Sequence, residues 1–173
     1  ITSGLVGSEM CIRDSISSGT VASAYDAWTK DKLLERLWGE HIHLGFYPSG
    51  KKNIDFRKAK VQFVHELVKW SGLDKLPKGS RILDVGCGIG GSSRILAEYY
   101  GFNVTGITIS PAQVKRAREL TSQELNCNFQ VMDALDLKFE DGSFDAVWSV
   151  EAGAHMNDKT CLLYTSPSPR DPM

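Results

Sequence analysis

The chain has 173 residues, a formal net charge of -1 and a hydrophobic fraction of 42%, which fit one globular domain. Its 20 basic and 21 acidic residues form no run of like charge, and this argues against a nucleic-acid-binding protein. No apolar run is long enough for a membrane-spanning helix. Away from the chain ends, the cysteines are Cys87 and Cys127. They show no paired spacing that would predict a disulfide framework or a zinc site, and this usage is typical of a reducing cytosol.

The two ends of the chain differ from the rest of it. Residues 5–15 (LVGSEMCIRDS) and 161–171 (CLLYTSPSPRD) show neither helix nor strand periodicity. Both resemble translations of one transposase-type sequencing adapter, read from its two strands. We therefore expect residues 1–15 and 161–173 to be non-native; the alternative is a Ser/Pro-rich linker at one end and a remnant of a signal peptide at the other.

The remaining chain opens with a segment rich in aromatic residues and histidine, residues 25–47, which we interpret as a lid over a ligand site. Its members are Tyr25, Trp28, Trp38, His41, His43, Phe46 and Tyr47. Residues 55–70 then carry apolar side chains at three-and-four spacing. This spacing predicts an amphipathic helix that ends at Gly72.

Strands and helices are predicted to alternate over the rest of the chain. The predicted strands are residues 81–85, 103–109, 129–132 and 144–150. A helix over residues 92–100 ends at Gly101, and another begins at Ser110, with Pro111 in its first turn and Gln113 completing a capping box. The alternation predicts an α/β fold: a doubly wound, Rossmann-like parallel sheet, incomplete, with about four strands of its N-terminal half. The fourth strand should lie beside the first, where the strand order reverses and a ligand binds.

A glycine loop follows the first predicted strand. Gly86, Gly88 and Gly91 have the G-x-G-x-x-G spacing, which lets backbone approach a ligand but does not distinguish a dinucleotide from S-adenosylmethionine. Asp84 lies two residues before the first glycine, at the carboxyl end of the strand. Its carboxylate would repel a pyrophosphate and attract the ammonium of a methionyl group. The loop is therefore typical of a methyltransferase.

Five segments carry a resemblance to a known family: WGEHIHLGFY (38–47), KVQFVHELVKWSGLDKLP (60–77), LDVGCGIGGSSRILA (83–97), GFNVTGITISPAQVKRA (101–117) and FDAVWSVEAGAHMNDK (144–159). Over residues 25–159 the chain resembles class I S-adenosylmethionine-dependent methyltransferases. Within that class it is most similar to the cyanobacterial-type 2-methyl-6-phytyl-benzoquinol methyltransferases, and next to the gamma-tocopherol methyltransferases. The EAG at residues 151–153 favours the first group. Two positions depart from it: Ala154 stands where that group usually has proline or glutamate, and Asn157 stands where it usually has proline.

The resemblance implies a set of cofactor residues. Around the methionyl and ribose groups it places Asp84, Gly86, Gly88 and Gly90, on the ribose Thr108, Ile109 and Gln113, and at the adenine Asp133 and Ala134. A capping box alone would also account for Gln113, and a local backbone cap would account for Asp133. The implied domains are residues 16–54, a lid and substrate segment, and residues 55–160, a truncated cofactor-binding methyltransferase domain.

The family's acceptor is a ring carbon beside a hydroquinol hydroxyl, so a base that takes the hydroxyl proton would help. The candidates are His155, Glu151, His41 and His43. Glu151 and His155 would share a helix face if a helix began there. For each histidine, simple packing is the competing interpretation.

The resemblance also implies partners and a location. The substrate would be a prenylated quinol of tocopherol or plastoquinone synthesis, and the full-length protein would touch a thylakoid or inner membrane peripherally; a plastid location fits as well. Neither a nucleic acid nor a protein partner nor a metal is indicated. The resemblance implies an enzyme for the parent protein, whereas we expect the truncated chain itself to be an inactive, noncatalytic cofactor-binding fragment. A nicotinamide-dependent oxidoreductase is the third class that stays open, although the chain lacks an acidic ribose partner at Thr108.

Overall fold

A parallel β-sheet forms the centre of the molecule. The computed structural model describes residues 18–49 and 53–156, so the expectations for both chain ends lie outside the described residues. The strands are β1 (Arg81–Val85), β2 (Asn103–Thr108), β3 (Cys127–Val131) and β4 (Ala146–Trp148), in the order β3-β2-β1-β4. All neighbours are parallel, and β4 lies beside β1 as the sequence predicts. The predicted α/β fold is therefore confirmed.

Helices surround this sheet. Their bounds are α1 (Ser18–Lys30), α2 (Leu33–Trp38), α3 (Phe56–Ser71), α4 (Gly91–Tyr100) and α5 (Pro111–Leu120). Short 3-10 helices cover Leu73–Lys75 and Ala152–His155. Helices α3 and α4 match the predicted ones to within a residue, and α5 begins where its predicted cap places it. Helices α1 and α2 form in the segment predicted only as a lid.

Local signals explain where α3 begins and ends. The Asp55 carboxylate accepts hydrogen bonds from the backbone N–H groups of Arg57 at 3.0 Å and Lys58 at 3.1 Å. These are donors that a helix leaves unpaired at its first turn. Gly72 ends the helix in the left-handed region, at a φ of 76°.

Alternation along β1 creates a core on each side of the sheet. Ile82 packs with Val64 and Val68 of α3, while Leu83 packs with Ile107 and Phe144 on the opposite face. Both faces of β1 are therefore buried. Since β1 lies between β2 and β4, its carboxyl end lies in the middle of the side of the sheet where the parallel strands end.

Charged contacts attach the N-terminal helices to α5. The Asp26 carboxylate of α1 accepts hydrogen bonds from Ser110 Oγ at 2.5 Å and from the Ala112 backbone N–H at 3.1 Å. Glu35 of α2 forms a two-point ion pair with Arg116, at 2.6 and 2.8 Å. These contacts place α1 and α2 over the carboxyl edge of the sheet.

Candidate cofactor and substrate site

A sharp turn after β1 forms the floor of the site. The backbone N–H groups of Gly86 and Cys87 both donate to the Ile107 carbonyl, at 2.9 and 3.0 Å. Gly86 has a φ of 76°, and a Cβ there would collide with the Ala152 side chain. Gly88 has a φ of 56°, and nothing lies within 4 Å of the position its Cβ would take. The turn therefore requires glycine for its backbone conformation and presents open space above Gly88.

Gly90 and Gly91 serve packing. A Cβ at Gly90 would lie 2.7 Å from the Phe129 ring, and one at Gly91 would lie 2.8 Å from the His41 ring. Gly91 borders the cavity described next, whereas Gly90, a predicted cofactor residue, does not.

A cavity of about 570 Å³ occupies the carboxyl edge of the sheet. This is within the usual size range of small-molecule sites. The predicted residues in its lining are Asp84, Gly86, Gly88, Thr108, Ile109, Gln113, Asp133, Ala134, His41, His43 and Glu151. Of the other two predicted residues, Gly90 is not in that lining, and the side chain of His155 lies outside the described part of the chain.

Asp84 is a buried carboxyl at the centre of this site. Its side chain is 2% exposed, and one oxygen accepts a hydrogen bond from Ser93 Oγ at 2.5 Å. Burial raises the pKa of Asp84 to about 6, and the Ser93 bond offsets part of that rise. The second carboxylate oxygen has no partner among the described residues, so it can accept from a ligand.

The loop after β2 presents polar groups to the cavity. The Gln113 backbone N–H donates to Ser110 Oγ at 3.2 Å, which is half of the predicted capping box. The Gln113 side chain does not complete that box; its oxygen accepts from Thr108 Oγ1 at 2.7 Å. Thr108 and Gln113 are both buried and line the cavity. Helix capping and ligand contact are therefore compatible at Gln113.

Asp133 forms the local backbone cap and also borders the cavity, so the cap does not remove it from the site. One carboxylate oxygen accepts from the Leu135 backbone N–H at 2.9 Å, the predicted local cap. The residue also lines the cavity with Ala134.

His41 and His43 form a buried pair in the segment between α2 and α3. The segment is not a strand, yet His43 Nε2 lies 3.1 Å from His41 Nδ1. His43 Nδ1 lies 2.7 Å from the Leu44 carbonyl oxygen. Burial and the neighbouring His43, Arg94 and Lys60 lower the pKa of His41 to about 3. Burial also lowers the pKa of His43, which the Leu44 carbonyl and Glu151 partly oppose.

Glu151 lines the cavity and contacts the segment that carries His41 and His43. It follows β4 in the left-handed region at a φ of 56°, and its Oε1 accepts from the Leu44 backbone N–H at 3.1 Å. A 3-10 helix starts only at the next residue, so the α-helical face predicted for Glu151 and His155 does not form. Glu151 instead joins β4 to the histidine segment.

Sequence reasoning missed the helix α1 and the place of Val21 in the lining. Val21 borders the cavity together with Tyr25 and Trp28, which belong to the predicted lid. Their spacing of four and three residues is helical and is the signal that could have predicted α1. Trp38 and Tyr47, which also belong to the predicted lid, are exposed and lie outside the cavity lining.

The fold and the site agree with the comparisons to known proteins. Residues 82–164 match the family model described as "Methyltransferase domain". The sheet order, the glycine turn and Asp84 at the end of β1 agree with this match, and the class to which the chain is similar is that of the class I S-adenosylmethionine-dependent methyltransferases.

Two curated relatives are similar in sequence. The chain is 63% identical over 143 residues to the 2-methyl-6-phytyl-1,4-hydroquinone methyltransferase of Synechocystis sp., covering 83% of this chain and 45% of that protein. It is 44% identical over 137 residues to the chloroplastic tocopherol O-methyltransferase of Arabidopsis thaliana, covering 73% of this chain and 39% of that protein. The chain thus spans less than half the length of both curated relatives.

A solved structure shows the same fold. The crystal structure of the [4+2]-cyclase SpnF superimposes with a TM-score of 0.74 at 27% identity, covering 85% of this chain and 54% of that one. Since a cyclase has this fold, the fold alone does not decide which reaction is catalysed.

Proposed function

We propose that the protein transfers a methyl group from S-adenosylmethionine to a ring carbon of a prenylated hydroquinone, in tocopherol or plastoquinone synthesis. The 63% identity to the Synechocystis hydroquinone methyltransferase is the observation that carries this substrate class. The lower identity of 44% to a tocopherol O-methyltransferase makes gamma-tocopherol the second candidate substrate.

The residues present fit the cofactor. One carboxylate oxygen of Asp84 has no partner within residues 18–49 and 53–156, and Gly88 leaves space that a side chain would fill. Asp84, Gly86 and Gly88 would bind the methionyl side, Thr108, Ile109 and Gln113 the ribose, and Asp133 and Ala134 the adenine. Gly90 would support the turn through its contact with Phe129. When bound, the cofactor supplies an already activated methyl group, so alignment and exclusion of water are the main tasks of the chain.

Glu151 is the group we assign to proton removal from the substrate hydroxyl. Both nitrogens of His43 are hydrogen-bonded within the protein. A proton on His41 would lie near Arg94 and Lys60, which help to keep its pKa at about 3. Glu151 lines the cavity, and its Oε1 accepts a hydrogen bond from the Leu44 backbone N–H. A base within reach of the hydroxyl typically contributes about 10²–10⁴-fold to the rate.

Two measurements on the full chain test this function. Calorimetry should show binding of S-adenosylhomocysteine, with affinity reduced about 10- to 100-fold in Asp84→Asn, since a charge-assisted hydrogen bond is lost. Glu98→Gln, at an exposed position of α4, is the matched control and should bind normally. NAD should not compete; competition by NAD would favour the oxidoreductase alternative.

Methyl transfer is then measured with labelled S-adenosylmethionine. We expect product from 2-methyl-6-phytyl-1,4-hydroquinone and much less from gamma-tocopherol. Methylation of gamma-tocopherol instead would move the assignment to that group. Binding without transfer to either substrate would favour a noncatalytic cofactor-binding chain.

A peripheral membrane contact is also part of this proposal. Among the described residues no helix has the length and apolarity to cross a bilayer. Ile42, Leu44 and Tyr47 are exposed by 47%, 74% and 54%, in the segment that borders the cavity. A prenylated quinol dissolves in lipid, so an apolar surface beside the cavity would bring the site to its substrate. Cosedimentation with vesicles should decrease in Leu44→Ser; unchanged cosedimentation would remove this support.

A further inference from the structure

The hydrogen bonds of His41 and His43 have a fixed direction. A backbone carbonyl can only accept, so the bond to the Leu44 oxygen requires the proton of neutral His43 to be on Nδ1. His43 Nε2 then carries a lone pair and must accept. The hydrogen bond of 3.1 Å between the two rings is therefore donated by His41 Nδ1.

His41 consequently presents a lone pair on Nε2. That atom has no hydrogen-bond partner among the described residues, and it is not sealed inside the protein, because the single buried side-chain nitrogen or oxygen without a partner there is Trp148 Nε1. His41 is a buried residue that lines the cavity. The cavity is therefore the side from which we expect a ligand to reach Nε2.

Surrounding contacts keep the ring of His41 in place. Lys60 Nζ donates to the His41 carbonyl oxygen at 2.7 Å. The ring lies against Gly91 so closely that a Cβ there would be 2.8 Å away. At neutral pH the ring stays uncharged, since its pKa is lowered to about 3. Glu151 lines the same cavity, and its Oε1 accepts from the Leu44 backbone N–H.

We propose that His41 Nε2 accepts a hydrogen bond from a ring hydroxyl of the substrate, that His43 positions it for this contact, and that the site thereby selects the reduced hydroquinone over the quinone. A hydroquinone offers two O–H donors, whereas a quinone offers only carbonyl lone pairs, which would face the lone pairs of His41 and Glu151. A site built to pair with a hydroxyl rejects an analogue without one far more strongly than a hydrophobic pocket can. The quinone ring is also electron-poor, so excluding it keeps an unreactive ligand out of the cavity. This inference rests on the proposed function.

Binding of a redox pair to the full chain loaded with S-adenosylhomocysteine tests the selection. Tetramethylhydroquinone and tetramethylbenzoquinone are suitable probes, since their fully substituted rings neither accept methyl groups nor add cysteine thiols. We expect the wild type to bind the hydroquinone at least about 10-fold more tightly. In His41→Phe this ratio should fall toward one through weaker hydroquinone binding, with cofactor affinity unchanged.

Variants at His43 separate positioning from packing. His43→Phe should lower the ratio, whereas His43→Gln, whose side-chain oxygen can still accept from His41, should restore much of it. His65→Phe is the control, because His65 pairs with Tyr100 away from the cavity lining. A wild-type ratio near one despite cofactor binding, or a ratio unchanged in His41→Phe, would overturn the inference. Failure of the wild type to bind the cofactor would overturn the proposed function and this inference with it.

Nitrogen NMR of the imidazole rings tests the direction of the bonds without any ligand. Both His41 and His43 should show the Nδ1–H tautomer at neutral pH. In His43→Phe the tautomer preference of His41 should weaken, while His65→Phe should leave it unchanged. An Nε2–H tautomer at His41 in the wild type would contradict the proposal.

Discussion

Asp84 shows a conflict between stability and binding at a single residue. Folding places its carboxyl group at 2% exposure, with Ser93 Oγ as its partner among the described residues. Its pKa rises from 3.8 to about 6, so the folded protein holds a proton there more tightly than the unfolded chain does. Stability contributed by this group is therefore present at low pH and decreases as the pH rises through about 4 to 6. A cationic group bound beside Asp84 would offset this cost.

Replacing Asp84 should consequently stabilise the protein without ligand. We expect Asp84→Asn to raise the free energy of unfolding at pH 7 by up to about 3 kcal/mol, the value of a two-unit pKa shift, and to have little effect below pH 4. Urea denaturation at both pH values measures the difference, and Glu98→Gln should show none. A destabilised Asp84→Asn at pH 7 would mean that ionised Asp84 is already stabilised by groups of the protein.

Other residues show what a sequence can and cannot predict at this scale. Asp55 and Ser110 were predictable as caps because each bonds to backbone two or three residues away. The glycine turn was predictable from the spacing of its glycines, which is a local pattern. The hydrogen bond between His41 and His43 was not, because their position in irregular backbone decides whether the rings meet, and no local pattern fixes that backbone.

At the scale of elements, the attachment of α1 to α5 depends on contacts distant in sequence. Ser110 caps α5 by accepting from the Gln113 N–H, and Asp26 in turn accepts from Ser110 Oγ and the Ala112 N–H. A negative charge at a helix N-terminus is also favoured by the helix dipole. The hydrogen bond from Ser110 is the main cause that lowers the pKa of Asp26. Asp26 and Ser110 are 84 residues apart in the sequence. A capping pattern spans only a few residues, so it could not predict this contact.

Removal of the Asp26 carboxylate should loosen α1. We expect Asp26→Ala to cost about 1 kcal/mol of unfolding free energy at pH 7, the usual value of a lost cap, and to weaken S-adenosylhomocysteine binding, because α1 lines the cavity. The lowered pKa of Asp26 means that its contribution is present above about pH 4 and is lost as the pH falls further. Wild type and variant should therefore converge in stability in acid, as measured by denaturation at pH 3 and 7. Asp136→Ala, which removes an exposed carboxylate outside the cavity lining, is the control.

At the scale of the whole molecule, the sheet was predictable and the position of the N-terminal helices was not. Apolar runs bounded by turns and glycines fixed the strands, and their alternation with helices fixed a parallel order with β4 beside β1. The same strand ends defined where the cavity would lie. The side of the cavity formed by Val21, Tyr25 and Trp28 depends on tertiary contacts of α1, for which the sequence contains a helical spacing but no indication of the partner.

Because residues of α1 and of the sheet edge line one cavity, a ligand there should stabilise both parts together. At 100 times its dissociation constant, a ligand that binds only the folded state adds about 2.7 kcal/mol of stability. We expect S-adenosylhomocysteine to slow amide hydrogen exchange in Ser18–Lys30 as well as in the turn after β1, with smaller changes in α3. In Asp26→Ala the protection of α1 should be lost while that of the turn remains, since the turn still holds Asp84 and the glycines. Protection confined to the turn in the wild type would instead show that α1 contributes nothing to binding. The residues at the carboxyl ends of the strands would then bind the ligand without it.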